Sequence, residues 1–337
     1  MTESIKRNIY VDNLKCLLII LVVVGHFVDI ALDESELLQS LFIFIYSFHM
    51  PLFIFVNGLL CDRIIKSKTR VIDKVVVFMG LYIALKAILF FTRTVIGQED
   101  IKFHLFEEDG VPWYLFATAA YYIITYILRN MNKMWLFVFS IILALLVGYD
   151  PDINDVFVMS RIIVFYPFFI AGWALNAESV TKFTEKKWVK ISGIAGLAVF
   201  AVLCIVCLDA VYELRPLFTG RNGYDSLDGL ESFGPALRLL SYAVSFLIGA
   251  FVLAAVPHRK IKLLSTVGRR TLAIFFLHRP VLYCLTYAGT VEFLRENIGW
   301  TAGNLIWLMI GVALALVLSA PVFTKGLNKM INWRKSS

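Results

Sequence analysis

Charge is what this 337-residue sequence has little of. Only 17% of its residues are charged, against about 25% in ordinary soluble domains. It also has no low-complexity tract and no heptad seam. The basic residues do not gather into one tract, so the net charge of +7 carries no nucleic-acid signal. The five cysteines, Cys16, Cys61, Cys204, Cys207 and Cys284, lie in or beside apolar runs. Cys204 and Cys207 form a C-x-x-C with no second ligand pair, so they read as packing residues and no metal is expected. The first apolar run, Leu14 to Ile30, has no small-x-small cleavage site after it and reads as a retained helix.

What is present is apolar. Hydrophobic residues make up 59% of the chain and the mean hydropathy is +0.77. One soluble core does not absorb that surplus; a bilayer does. A helix needs about 20 apolar residues to span. Ten candidates follow: Leu14–Ile30, Leu38–Leu60, Val71–Phe91, Pro112–Leu128, Met134–Val147, Val158–Leu175, Trp188–Leu208, Ala236–Val256, Thr271–Ala288 and Ala302–Phe323. The fifth is short. The expectation is an all-α, polytopic membrane protein of about ten transmembrane helices in one bundle.

The connections alternate in charge. One set holds most of the basic residues, among them Lys6, Arg63, Lys68, Arg70, Lys133, Lys187, Arg259, Arg270 and Lys325. The other holds only Arg93, Lys102, Arg215, Arg221 and Arg295, with most of the acids. By the positive-inside rule both termini are cytoplasmic, in a multi-pass protein of the cell membrane.

Ionisable residues inside spans cost a few kcal/mol each and by default mark a site. Lys15, Lys86, Arg161, Arg238, Arg279, His26, His49 and His278 qualify. For Arg161, Arg238 and Lys86, snorkelling or structural pairing is the competing account. Lys15 and His26 are eleven residues apart, three turns plus about 20°, and so share one helix face about 16 Å apart. A long ligand with an anionic head at Lys15 and a reactive tail at His26 suits that face, as an acyl-CoA does. His49 reaches a similar depth from the other side. Pro51 behind it frees the carbonyl of Ser47 and predicts a kink; a hydrogen-bonded core histidine is the alternative. The Arg63–Lys74 basic stretch fits topology and anionic lipid, or a phosphate clamp.

Five stretches carry a resemblance. They are Tyr10-Val-Asp-Asn-Leu-Lys15, the Lys-x10-His pair ending in Val-Val-Val-Gly25-His26, Phe48-His49-Met-Pro-Leu-Phe-Ile-Phe-Val-Asn-Gly58, Val111-Pro-Trp113-Tyr-Leu-Phe, and Gly268-Arg-Arg-Thr-Leu-Ala-Ile-Phe-Phe-Leu-His278-Arg-Pro280. In order and spacing the sequence resembles membrane-bound acyltransferase family 3, in its fucose 4-O-acetylase-like branch. The resemblance implies one integral membrane domain over residues 1–337. It implies transfer of an acyl group, most often acetyl, from cytoplasmic acyl-CoA to a hydroxyl of a cell-envelope saccharide or lipid-linked saccharide. It also implies that His26 leads as catalytic residue and that Lys15, Lys68 and Arg70 serve the CoA side. The family often has Arg at Lys15, which would add a bidentate phosphate fork, and Ser at Asn57.

On this view His26 acts as general base on the acceptor hydroxyl. His49 orients it, polarises the carbonyl or relays the acyl group. Asp12 pairs with Lys15, Trp113 and Tyr114 meet the saccharide, and His278 supports the site. Acetyl-CoA is the expected donor and membrane lipids the expected surroundings. The rival from another class is a secondary transporter or flippase, for which buried His, Lys and Arg also serve. It would favour an internal repeat, and the second half has no counterpart to the His26 and His49 helices. A non-catalytic scaffold leaves the histidines unexplained.

Overall fold

The computed structural model describes residues 8–32, 35–99, 101–106, 110–150, 153 and 157–332. Lys6, named in the charge alternation, lies outside the described residues. Most of those described are helical, and no strand is found among them. In chain order the helices are α1 (Ile9–Ile30), α2 (Glu36–Tyr46), α3 (His49–Leu59), α4 (Asp62–Ile65), α5 (Lys68–Val95) and α6 (Trp113–Ile127). Next come α7 (Lys133–Leu146), α8 (Met159–Ala174), α9 (Ala177–Thr184), α10 (Lys187–Val206), α11 (Leu208–Tyr212) and α12 (Arg215–Thr219). The last are α13 (Gly234–Ala255), α14 (Lys262–Gly268), α15 (Thr271–Tyr287), α16 (Thr290–Ile298), α17 (Trp300–Leu318) and α18 (Pro321–Asn332).

Six of these units are long and apolar enough to cross a bilayer, and up to eight if each of two bent pairs is one span. The pairs are α8 with α9, bent by 84°, and α15 with α16, bent by 56°. The two remaining expected spans are shorter apolar helices, α6 and the run Lys133–Tyr149. The architecture is that of a polytopic membrane protein.

The helices begin where side chains satisfy their first free N–H groups. Asn8 caps α1, Ser35 caps α2, Ser67 caps α5 and Asn132 caps α7. Helix α1 is the hub, packed against α2, α3, α14, α15 and α17. The perimeter is apolar: on α10, Ile191, Ile194, Val202 and Ile205 are all more than half exposed. Water would make such a surface costly; lipid tails cover it without penalty.

The break predicted at Pro51 is present. The second span is two helices, interrupted at Ser47–Phe48. Proline has no N–H to give the Ser47 carbonyl, and Ser245 of α13 supplies the donor instead, its Oγ 2.5 Å away. Helix α3 then crosses α8 at two glycines. A Cβ on Gly58 would lie 2.0 Å from the Phe169 carbonyl oxygen, and one on Gly172 2.0 Å from that of Phe55. Only glycine allows this approach, and it holds the His49 helix in place.

Candidate functional site

The shared face of α1 is where the periodicity put it. Lys15, Ile19 and Val22 line a cavity of about 200 Å³, and His26 stands one turn beyond them. Helix α3 contributes Met50, Phe53 and Asn57, helix α6 contributes Tyr114, and α15 contributes Thr271 and Phe275. Lys74 of α5 joins Lys15 among the lining residues. Asn57 donates from Nδ2 to the Tyr114 hydroxyl at 2.7 Å, tying α3 to α6 across the wall.

Beyond the cavity the imidazoles gather. The His26 and His278 rings stack with centroids 5.4 Å apart and planes 21° from parallel. Phe275, from the cavity wall, lies 6.2 Å from the His278 ring. His49 is within electrostatic range of His26, with the Tyr46 ring edge-on to it at 4.8 Å. Gly25 makes room for this: a Cβ there would stand 3.3 Å from both Ile45 and Tyr46.

The hydrogen bonds fix the chemistry of two of these rings. His49 Nδ1 is 2.9 Å from the Ile45 carbonyl. His278 Nδ1 is 3.0 Å from the Ile274 carbonyl and 2.9 Å from that of Phe275. A carbonyl only accepts, so Nδ1 carries the proton and, in the neutral ring, Nε2 carries the lone pair. His278 is fully buried, and its Nε2 has no hydrogen-bond partner; neither has His26 Nδ1. Buried polar atoms are ordinarily paired, which sets these two nitrogens apart from the backbone-bound Nδ1 atoms of His49 and His278.

Three guanidinium groups complete the cluster. Arg279 and Arg161 lie within electrostatic range of His26, and Arg279, Arg215 and Arg161 within range of Asp29. Each sits over an aromatic ring: Arg161 over Trp113 at 4.7 Å, Arg279 over Tyr283 at 5.0 Å and Arg215 over Phe42 at 4.9 Å. Trp113 is buried and stacked on Phe165.

Of the residues expected from sequence, the fold brings together His26, His49 and His278, and places Trp113 under Arg161. Lys15 stands at the other end of the same face. Lys68 and Arg70 stand apart, exposed in the first turn of α5, where Arg70 donates to the Arg63 carbonyl at 3.1 Å; the cavity is lined by Lys74, one turn further. Asp12 is buried where α14 crosses α1, and a Cβ on Gly268 would clash with its carbonyl. Among the described residues no group of three His, Cys, Asp or Glu is placed to hold a metal ion. Sequence reasoning missed Asp29, Tyr46 and the convergence of the arginines. Asp29 was findable, three residues after His26 and therefore on its face; Arg161 and Arg279 were visible as charges inside spans, but nothing in the sequence joined them, and Arg215 carried no local signal.

Residues 8–324 match the family described as "Acyltransferase domain", Acyl_transf_3. The Nodulation protein NolL of Sinorhizobium fredii (strain NBRC 101917 / NGR234) is 26% identical over 182 residues, covering 50% of this chain. That stretch covers 48% of NolL, so the match spans about half the length of each protein. No solved structure matches. With the family's pattern running from the α1 cap at Asn8 into α18, across the helices that build the cavity and the histidine cluster, this chain belongs to the acyltransferase 3 family of membrane proteins.

Proposed function

We propose that this protein is an O-acyltransferase, most simply an O-acetyltransferase of the fucose 4-O-acetylase-like kind, acting in the cell membrane with both termini cytoplasmic. The donor is acetyl-CoA and the acceptor a hydroxyl of a cell-envelope saccharide, free or lipid-linked. One observation carries the reading: the cavity begins at Lys15 and Lys74 and follows the α1 face to within a turn of His26. Its roughly 200 Å³ is below the about 300–1,000 Å³ of pockets that enclose a drug-sized ligand. It suits a slender thioester arm rather than a nucleotide. The nucleotide phosphates stay outside against Lys15, Lys74 and the Lys68–Arg70 turn, as point charges and forks.

His26 takes the proton of the acceptor hydroxyl as its oxygen attacks the thioester carbonyl carbon. The tetrahedral intermediate collapses, the C–S bond breaks, and the thiolate takes the proton back from the imidazolium. The products are the ester and free CoA thiol. His278, stacked on His26 with its tautomer held by backbone, orients the ring; His49 closes the cluster from α3.

The test is release of CoA thiol and appearance of acetyl ester on envelope saccharide, read by mass spectrometry, with His26→Ala against wild type in membranes. Loss of a general base removes about 10²–10⁴-fold in rate. His104→Ala, in a loop, keeps full activity. A folded His26→Ala protein that transfers acetyl at the wild-type rate refutes the assignment.

A further inference from the structure

The cavity ends in the same way on two neighbouring helices. On α1 its last lining residue is Val22, and His26 follows one turn later. On α15 its last lining residue is Phe275, and Arg279 follows one turn later. The two helices run the same way: Gly268, just before α15, meets Asp12 of α1, and further along His278 stacks on His26. Residues four apart share a helix face, so His26 and Arg279 flank the inner end of the cavity. They lie within electrostatic range of each other.

Arg279 sits about 12 Å into α15. A guanidinium at that depth is costly unless it is paired or used. Its Nε and Nη1 are buried without a hydrogen-bond partner, and the Tyr283 ring covers one face at 5.0 Å. Other arginines of the bundle spend their donors. Arg295 donates from Nε to Asn304 Oδ1 at 2.9 Å and from Nη2 to the Ala31 carbonyl at 2.8 Å. Arg270 donates from Nη1 to the Ser319 carbonyl at 2.6 Å. Arg215 faces Asp29 at 3.9 Å, and Arg161 has interactions of its own. Arg279 keeps two nitrogen donors for which the described residues supply no acceptor.

Acyl transfer creates a negative charge beside these donors. As the acceptor oxygen bonds to the thioester carbonyl carbon, the carbonyl π pair moves onto oxygen. His49 and His278 spend their Nδ1–H on backbone carbonyls, and His26 holds the acceptor's proton. We propose that Arg279 donates hydrogen bonds to this oxyanion and is a catalytic residue of the transfer. The proposal rests on the acyl-transfer reading and adds a residue to its mechanism. No proton leaves Arg279, because a guanidinium stays protonated. On collapse the pair returns to the carbonyl, the C–S bond breaks, and the thiolate takes its proton from the His26 imidazolium. Arg279 ends as it began. The oxyanion lies between guanidinium and imidazolium, attracted by both and screening each from the other. Where water is scarce such a donor is worth more than in solution.

The experiment uses the full chain in nanodiscs and two unreactive CoA thioethers, with binding measured by equilibrium dialysis. Trifluoroacetonyl-CoA hydrates to a tetrahedral carbon whose hydroxyl ionises readily; acetonyl-CoA keeps a trigonal ketone. The wild type should bind the tetrahedral analogue at least about 10²-fold tighter than the ketone. Arg279→Gln should lose that preference while binding acetonyl-CoA as before, and in membranes its thiol release should fall by about 10²–10³-fold. Arg279→Lys keeps the charge without the planar donors and should fall between. Arg221→Gln, at an exposed position in the connection after α12, should match the wild type.

Equal affinity of the wild type for the two analogues overturns the inference without recourse to any variant. An Arg279→Gln protein that keeps the preference or the wild-type rate also overturns it. So does loss of both analogues together in the Gln and Lys variants, which marks Arg279 as a structural residue. Acetyl transfer is read separately, by ester formation in wild-type membranes and its loss in His26→Ala. Wild-type transfer without a preference for the tetrahedral analogue removes only the role of Arg279; absence of transfer removes the acyl-transfer reading itself.

Discussion

Replacing Gly172 by alanine adds one methyl group where α8 crosses α3, the helix that carries His49. The new Cβ would stand 2.0 Å from the Phe55 carbonyl oxygen and 2.8 Å from the Leu59 nitrogen. Ordinary contact begins near 3.4 Å, so α3 and α8 must part locally by about 1.4 Å, the difference of the two distances. The obstacle is backbone on both sides, and no side-chain rotation relieves it. Overpacking of this kind costs about 1–3 kcal/mol. Gly58→Ala meets the Phe169 carbonyl in the same way and carries the same cost. The two are not additive, because either one already separates the helices; the double variant should lose clearly less than the sum. Gly80→Ala is the internal standard. It sits in α5 with nothing within 4 Å of its would-be Cβ, so it should be neutral or gain up to about 1 kcal/mol of helix propensity. The assay is reversible unfolding in mixed micelles followed by tryptophan fluorescence, with thiol release measured in parallel. Activity should fall with stability, because α3 brings His49, Phe53 and Asn57 to the site. A Gly172→Ala protein as stable as wild type would show that α3 and α8 do not cross as described.

Ser245→Ala leaves the Ser47 carbonyl without its donor and should cost about 1 kcal/mol, the usual scale for one interhelical hydrogen bond in a membrane; unfolding in micelles measures it. Lys15→Gln and Lys74→Gln should each raise KM for acetyl-CoA several-fold while kcat falls less if, as proposed, they hold the donor away from the thioester; unchanged KM in the double variant counts against the donor's position. His258 lies in the connection after α13, stacked on Tyr10 at 4.4 Å, with Nε2 donating to the Thr181 carbonyl at 3.2 Å. Burial, with Lys190 nearby, holds its pKa below the ordinary 6.5. The folded state therefore binds fewer protons than the unfolded one, stability is fully present above about pH 6.5, and it declines as pH falls below that value. His258→Gln should flatten that limb of the stability profile.

How much of this was legible in the sequence depends on which interactions are local. The Lys15–His26 face was, because it follows from helical geometry alone, and Ile19 and Val22 fill the positions between them on the cavity wall. The break before Pro51 was legible for the same reason: a missing N–H is a property of the residue. The expectation that Lys68 and Arg70 serve the CoA side came from the resemblance; the run of charges from Arg63 to Lys74 does not itself say which member lines the cavity, and Lys74, a turn further along α5, is the one that does. The pairing of His26 with His278 joins residues of α1 and α15, far apart in the chain, and no periodicity reports it. The arginines are the extreme case. Arg161, Arg215 and Arg279 belong to α8, α12 and α15, and only the tertiary packing that brings these helices near the Asp29 end of α1 makes them one cluster.

The two cluster histidines outside α1 share a local construction. In His49-Met50-Pro51 and His278-Arg279-Pro280 a proline follows the histidine by two positions inside a helix. In both, Nδ1 reaches back to the carbonyl four residues earlier, Ile45 or Ile274. Away from water an imidazole has few partners with which to fix its tautomer, and its own helix backbone is the nearest. Binding through Nδ1 leaves Nε2 as the nitrogen with the lone pair. It also ties the His278 ring to its own helix, and the His49 ring to the last turn of α2 across the break that precedes α3. His26 is built differently: its Nδ1 is buried without a hydrogen bond, and the stack with His278 orients it instead. A ring that must accept a proton and return it cannot have the accepting nitrogen committed to a carbonyl. Two tethered imidazoles beside one untethered imidazole fit the proposed role of His26 as general base, with the moving proton kept apart from the groups that hold the site still.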